Sequence, residues 1–128
     1  MRLLLDTHVF LWWIAGDERV STPAARAIGD GAAEVFVSAA SLWEIAIMAR
    51  LGRLEIDGDP ARFLPGQLRE NAFQGLPVSA GHALRVWSLP ELHRDPFDRM
   101  LVAQAQAEGL AIVTADREIP RYGVETVW

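Results

Sequence analysis

Short, mainly apolar runs alternate along the chain with longer segments of helical periodicity, and few folds accommodate that alternation. The runs are Arg2 to Leu5, Val35 to Val37, Leu110 to Val113 and Glu125 to Trp128. Each is too short for a buried helix and apolar on consecutive positions, so each reads as a strand covered on both faces, as in a parallel sheet. Helices are expected over Thr7 to Ala15, Pro23 to Ile28, Ser41 to Leu51, Pro60 to Asn71, Ala80 to Trp87 and Pro96 to Glu108. Thr22-Pro23, Asp59-Pro60 and Asp95-Pro96 each place a capping residue before a proline at the first helical position. Strand alternating with helix specifies an α/β layered fold. No repeat, low-complexity run or linker divides the 128 residues, so one domain over residues 1–128 is expected.

Composition narrows the chemistry. The chain has no Cys, which removes thiol nucleophiles, disulfides and cysteine zinc sites. All 12 basic residues are Arg, so phosphate-binding loops and Schiff-base chemistry that need a Lys are excluded together. The net charge of −5 argues against a broad electrostatic grip on nucleic acid. The apolar stretch Val9 to Ala15 is too short to span a bilayer, and no cleavable signal is evident, so a cytoplasmic location without a membrane partner is expected.

In open α/β sheets the functional crevice lies at the carboxyl ends of the strands. Asp6 closes the run Leu3-Leu4-Leu5, and Asp116 follows Leu110 to Ala115. Parallel strands would send both carboxylates into one crevice. Glu44 and Asp98 lie on helices, and their three, four and seven neighbours are apolar: Ile47, Met48 and Leu51 for Glu44; Leu101, Val102 and Ala105 for Asp98. Both acids are therefore expected to face inward.

Several of these acids also have structural readings. Asp6 and Asp116 are placed to cap a helix or turn, Asp98 suits the positive end of its helix, and Asp95 reads as a cap rather than a ligand. Glu44, in mid-helix, has no such role. Four inward acids repel one another in a low-dielectric crevice unless protonated or neutralised by a cation. An all-oxygen donor set without Cys or paired His selects Mg²⁺ or Mn²⁺ over zinc, and a phosphate ester is the natural substrate for such a site.

Four blocks of sequence are also familiar. Leu4-Leu5-Asp6-Thr7-His8, Ser38 to Ile47 (Ser-Ala-Ala-Ser-Leu-Trp-Glu-Ile-Ala-Ile), Asp95 to Ala105 (Asp-Pro-Phe-Asp-Arg-Met-Leu-Val-Ala-Gln-Ala) and Val113-Thr114-Ala115-Asp116 resemble, in order and spacing, the signature blocks of the PIN-domain family, specifically its VapC-type toxins. The resemblance runs from Met1 to Trp128. It implies an α/β fold: a single PIN-like domain with a short central parallel sheet of four to five strands flanked by helices. It also implies a Mg²⁺-dependent endoribonuclease, the toxin of a toxin-antitoxin pair, inhibited by a cognate antitoxin and assembled as a homodimer or a larger toxin-antitoxin complex. The family's acidic quartet maps onto Asp6, Glu44, Asp98 and Asp116, which would hold the metal and act in catalysis on an RNA phosphodiester. Asp6 and Asp98 would be direct ligands. Glu44 and Asp116 would act directly or through water, with Thr7 and Thr114 orienting that shell.

One departure stands out. Relatives often carry a Lys where this chain has Met48, so a phosphate contact is expected instead from Arg50, Arg53, Arg117 or, above all, Arg99. His8, His82 and His93 lack metal-ligand spacing and read as structural or surface residues, with His8 alone close enough to Asp6 to support it. Phe10, Trp12 and Trp13 point in too many directions for one core stripe, so the first helix is expected either to pack on two sides or to expose a partner-binding patch. Phosphoryl receivers and haloacid-dehalogenase-like phosphatases also place an Asp after the first strand, but both rely on a Lys. The remaining alternative is a catalytically inactive PIN-like module that binds RNA or a partner through the same pocket.

Overall fold

The computed structural model describes residues 1–92 and 94–128. Five parallel strands form one sheet: β1 (Arg2–Leu5), β2 (Glu34–Ser38), β3 (Gln74–Leu76), β4 (Ala111–Val113) and β5 (Thr126–Val127), in spatial order β3-β2-β1-β4-β5. Six α-helices flank it among the described residues: α1 (Thr7–Ala15), α2 (Thr22–Gly29), α3 (Ala39–Arg50), α4 (Pro60–Glu70), α5 (Ala80–Arg85) and α6 (Pro96–Glu108). Short 3₁₀ turns follow α5 at Val86–Ser88 and β4 at Ile119–Tyr122.

The two-residue period of the strands divides the core. Leu3 and Leu5 join Val35, Val37, Ala111 and Val113 on one face, packed against Val9, Phe10, Ala24, Ile45 and Leu64 from the helices. Leu4 and Ile112 point the other way, onto Leu101, Val102 and Ala105 of α6. Leu3, Leu4 and Leu5 have no exposed surface, because β1 is central and covered on both sides. Truncating any of them to Ala would cost about 2–5 kcal/mol.

Caps explain where the helices begin. Asp59 and Asp95 cap α4 and α6 ahead of their prolines as expected. At α2 the cap is Ser21, accepting from the Ala24 amide, so Thr22 is already helical and Pro23 second. The third helix starts earlier than its apolar periodicity suggests, because Ser38 at the end of β2 caps it directly and leaves Ser41 on its first turn. The predicted helix over Ala80 to Trp87 tightens to 3₁₀ geometry after Arg85. Strand β3 has no counterpart among the apolar runs: it is three residues long, lies at the sheet edge and carries Gln74 and Gly75. Gly109, at φ 67°, ends α6 in the left-handed conformation that turns the chain into β4.

The topology fixes the crevice. From central β1 the chain runs outward to β2 and β3 on one side, and later returns to place β4 on the other. The connections diverge at the carboxyl ends of β1 and β4, where an open α/β sheet places its functional cleft.

Candidate functional site

Asp6 stands directly at that divergence. Its backbone N–H donates to the Val113 carbonyl at 3.0 Å, carrying the β1–β4 pairing one step further. Its Oδ1 accepts from the His8 amide at 2.8 Å and so caps α1, while Oδ2 accepts from the Thr114 hydroxyl at 2.8 Å. Thr114 in turn accepts from the Asp116 amide at 3.0 Å, and Asp116 Oδ1 accepts from the Glu118 amide at 2.9 Å. The two strand-end acids thus do what both readings anticipated: they terminate local backbone, and their side chains are tied to one crevice. Asp6 is 8% exposed, and Thr114 is buried.

The helices bring the other acids to the same place. The cavity, of about 290 Å³, is lined by Asp6, Glu44, Asp95, Asp98 and Asp116, with His8 and the apolar surfaces of Val9 and Trp12 completing its wall. All four acids singled out in the sequence line it. Thr7, buried at the start of α1, donates its hydroxyl to Ser41 at 2.8 Å and is among the groups that favour the ionised form of Glu44. Burial is the main reason that the Glu44 pKa is raised from its ordinary 4.5; the Asp95 and Asp6 charges push the same way, against Thr7 and His8.

The donor set suits a hard divalent cation. Among the described residues the cavity wall carries five carboxylates and no Arg side chain. Also among the described residues, no three acidic or histidine groups are already drawn together to hold one ion. Unneutralised carboxylates spread apart, and Mg²⁺ takes only one or two directly, filling its shell with water and substrate oxygen.

Sequence reasoning placed Arg99 wrongly. One step along α6 from Asp98 turns a side chain by about 100°, and Arg99 points away from the cavity into the turn after α5. Its guanidinium donates to the carbonyls of Pro90 at 2.7 Å, Val86 at 3.3 Å and Leu89 at 3.4 Å, and to the Tyr122 hydroxyl at 3.4 Å. It is a buried clamp on the segment before α6, not a phosphate contact. Arg50, Arg53 and Arg117 are exposed, none lines the cavity, and Met48 packs against the core.

Two other expectations resolve by packing. His82 is structural: its Nδ1 accepts from the Ser79 amide in a capping box, and its Nε2 lies 2.8 Å from Glu108. His93 lies outside the described residues. The aromatics of α1 pack on two sides and form no exposed patch. Phe10 is buried, Trp13 donates its Nε1 to Asn71 Oδ1 at 3.0 Å, and Trp12 stacks obliquely on Trp128 and under Arg19. The most exposed tryptophans are Trp43 and Trp87, with Trp128 exposed to a lesser degree.

The site member missed from sequence is Asp95. Its place before Pro96 announced a cap, and the cap is real, but its spacing of three from Asp98 also sets the two on one side of the first turn of α6.

Comparison with known proteins agrees with this architecture. The sequence model of the PIN domain matches residues 3–125. Ribonuclease VapC22 of Mycobacterium tuberculosis is 34% identical over 118 residues, covering 91% of this chain and 88% of the relative. Among solved structures, VapBC2 from Rickettsia felis, bound to a DNA fragment from its promoter, superposes with a TM-score of 0.72 at 15% identity, covering 98% of this chain and 97% of that one. A toxin-antitoxin complex from Klebsiella pneumoniae gives 0.63 at 17% identity, covering 92% and 89%. At these identities the two structures speak for the fold alone.

Proposed function

This chain belongs to the PIN-domain family, and on that premise we propose that it is a Mg²⁺- or Mn²⁺-dependent endoribonuclease, the toxin of a toxin-antitoxin pair. The observation that carries the reading is the convergence of carboxylates from four separate elements on one cavity at the carboxyl ends of β1 and β4. A ribonuclease as a relative at 34% identity supports RNA as the phosphate ester.

Asp6, Glu44, Asp98 and Asp116 would hold the ion. Bound there, it would supply Lewis-acid stabilisation of charge on the phosphate and activation of the attacking water. The chain's own residues prepare the ground. Thr114 fixes Asp6 by donating to Oδ2 and, through the Asp116 amide, ties the position of one carboxylate to that of the other. Thr7 steadies Glu44 from the buried start of α1. Burial lets Glu44 hold its proton to higher pH than a solvated carboxylate does. Val9 and the Trp12 ring form an apolar wall that limits water around the reacting phosphate.

The partners follow from the same reading. The toxin reading, supported by the VapC relative, calls for an antitoxin as the inhibitor, and exposed Trp43, Leu51, Leu84 and Trp87 offer apolar area to an antitoxin and to a second copy in a homodimer.

The test is cleavage of RNA by the purified protein, with 5′ ends sequenced in Mg²⁺ and in EDTA, beside folded Asp6→Asn and Asp98→Asn variants. Metal-dependent cuts that vanish in both variants are expected. Unchanged cleavage in both would overturn the reading, and RNA binding without cleavage in any metal would reassign the chain as a binding module.

A further inference from the structure

Asp95 lines the cavity and caps α6, but a cap does not require its charge. Asn and Ser cap helices about as well as Asp, and this chain uses both kinds: Ser21, Ser38 and Ser79 cap α2, α3 and α5, while Asp6 and Asp59 cap α1 and α4, Asp59 well away from the cavity. At α6 it places a carboxylate on the wall of a cavity that already holds four others. The cap occupies a single oxygen: Oδ1 accepts from the Phe97 amide at 2.8 Å and the Asp98 amide at 3.3 Å. Oδ2 takes no part in the cap. At the start of α6 the charge gains from the helix dipole and loses to the neighbouring carboxylates, and a cation in the cavity would remove that loss.

We infer that Asp95 is a fifth acidic group of the ion site, capping α6 through Oδ1 and presenting Oδ2 to the cation or to a water in its shell. The same side chain then sets the start of the helix that carries Asp98, so helix geometry and ion geometry share one anchor. The inference rests on the metal-dependent reading above, and the experiment separates the two.

Mn²⁺ is titrated calorimetrically into the full-length protein and into Asp95→Asn, Asp95→Ser and Asp6→Asn, with Tm measured in EDTA. Asn and Ser keep a capping oxygen and remove the charge. The expected result is Mn²⁺ affinity reduced roughly tenfold or more in both Asp95 variants, with the metal-free Tm unchanged or raised. Wild-type affinity in both, alongside loss of binding in Asp6→Asn, would make Asp95 a cap only and leave the functional reading standing. Affinity lost only together with metal-free Tm would likewise assign it to capping and overturn the inference. If Asp6→Asn binds Mn²⁺ like the wild type, the metal-dependent reading itself fails.

Discussion

The Thr114 hydroxyl donates to Asp6 Oδ2 at 2.8 Å, joining the ends of β1 and β4 with a buried bond between residues 108 positions apart. The same oxygen accepts from the Asp116 amide. Thr114→Val keeps the shape and removes both roles, leaving a carboxylate and an amide short of a partner. A loss of about 1.5–3 kcal/mol in stability is expected, since the bond is to an ionised group. RNA cleavage should fall about 10- to 100-fold, as for other residues that orient a ligand. Thr114→Ser should recover most of both. Urea denaturation and single-turnover cleavage rates check this; a Val variant with wild-type rates would remove Thr114 from the site.

Glu44 sets a pH dependence. Its folded pKa is raised, so the folded state binds its proton more tightly than the unfolded state does, and its contribution to stability is lost as pH rises from about the ordinary 4.5 through the raised folded value. Metal-free protein should therefore lose stability over that range, and Glu44→Gln should flatten the curve and melt higher near neutral pH. Urea titrations of both proteins in EDTA at a series of pH values read the difference. A Gln variant that melts lower at neutral pH contradicts the burial-dominated shift.

Arg99 should matter for folding and not for RNA. Arg99→Met strips three carbonyls of their donor, and the buried one, of Leu89, is expected to cost about 1–3 kcal/mol when left unpaired. Arg99→Lys should also destabilise, because a single ammonium cannot reproduce the spread of a planar fork. Mn²⁺ affinity of the folded fraction and RNA affinity should stay within about twofold of wild type, given that the side chain points away from the cavity. Weakened RNA binding in a protein of unchanged Tm would restore Arg99 as a phosphate contact.

Trp13 and Trp43 should divide in the opposite way to a binding-patch reading of α1. Trp13→Ala breaks a packed contact with Phe73 and the Asn71 hydrogen bond, and should approach the lower end of the 3–5 kcal/mol seen for Trp truncation. Trp43→Ala, on an exposed ring touching Phe97 edge-on, should change stability by less than about 1 kcal/mol. Sedimentation and antitoxin pull-down should register Trp43→Ala more strongly than Trp13→Phe.

The sequence was most readable where one physical demand acted alone. Consecutive apolar residues made β1 and β4 plain, and an Asp closing each run pointed to the crevice. Glu44 was legible because mid-helix burial of an acid has no local explanation. Residues serving two demands were harder to read. Asp95 showed its cap and hid its charge; Ser38 ended a strand and started a helix, which moved α3 forward. Arg99 failed because adjacency in sequence to Asp98 is not adjacency in space on a helix. Strand β3 carried no apolar run, since a three-residue edge strand with Gly75 gains its place from pairing with β2.

The strand order also governs when the site exists during synthesis. β1 is made first yet lies in the middle of the sheet, and one of its edges stays unpaired until Ala111–Val113 arrives. Asp6 receives its Thr114 bond, and the cavity its Asp116, only in the last stretch of the chain. The site is therefore complete only once synthesis has passed Asp116.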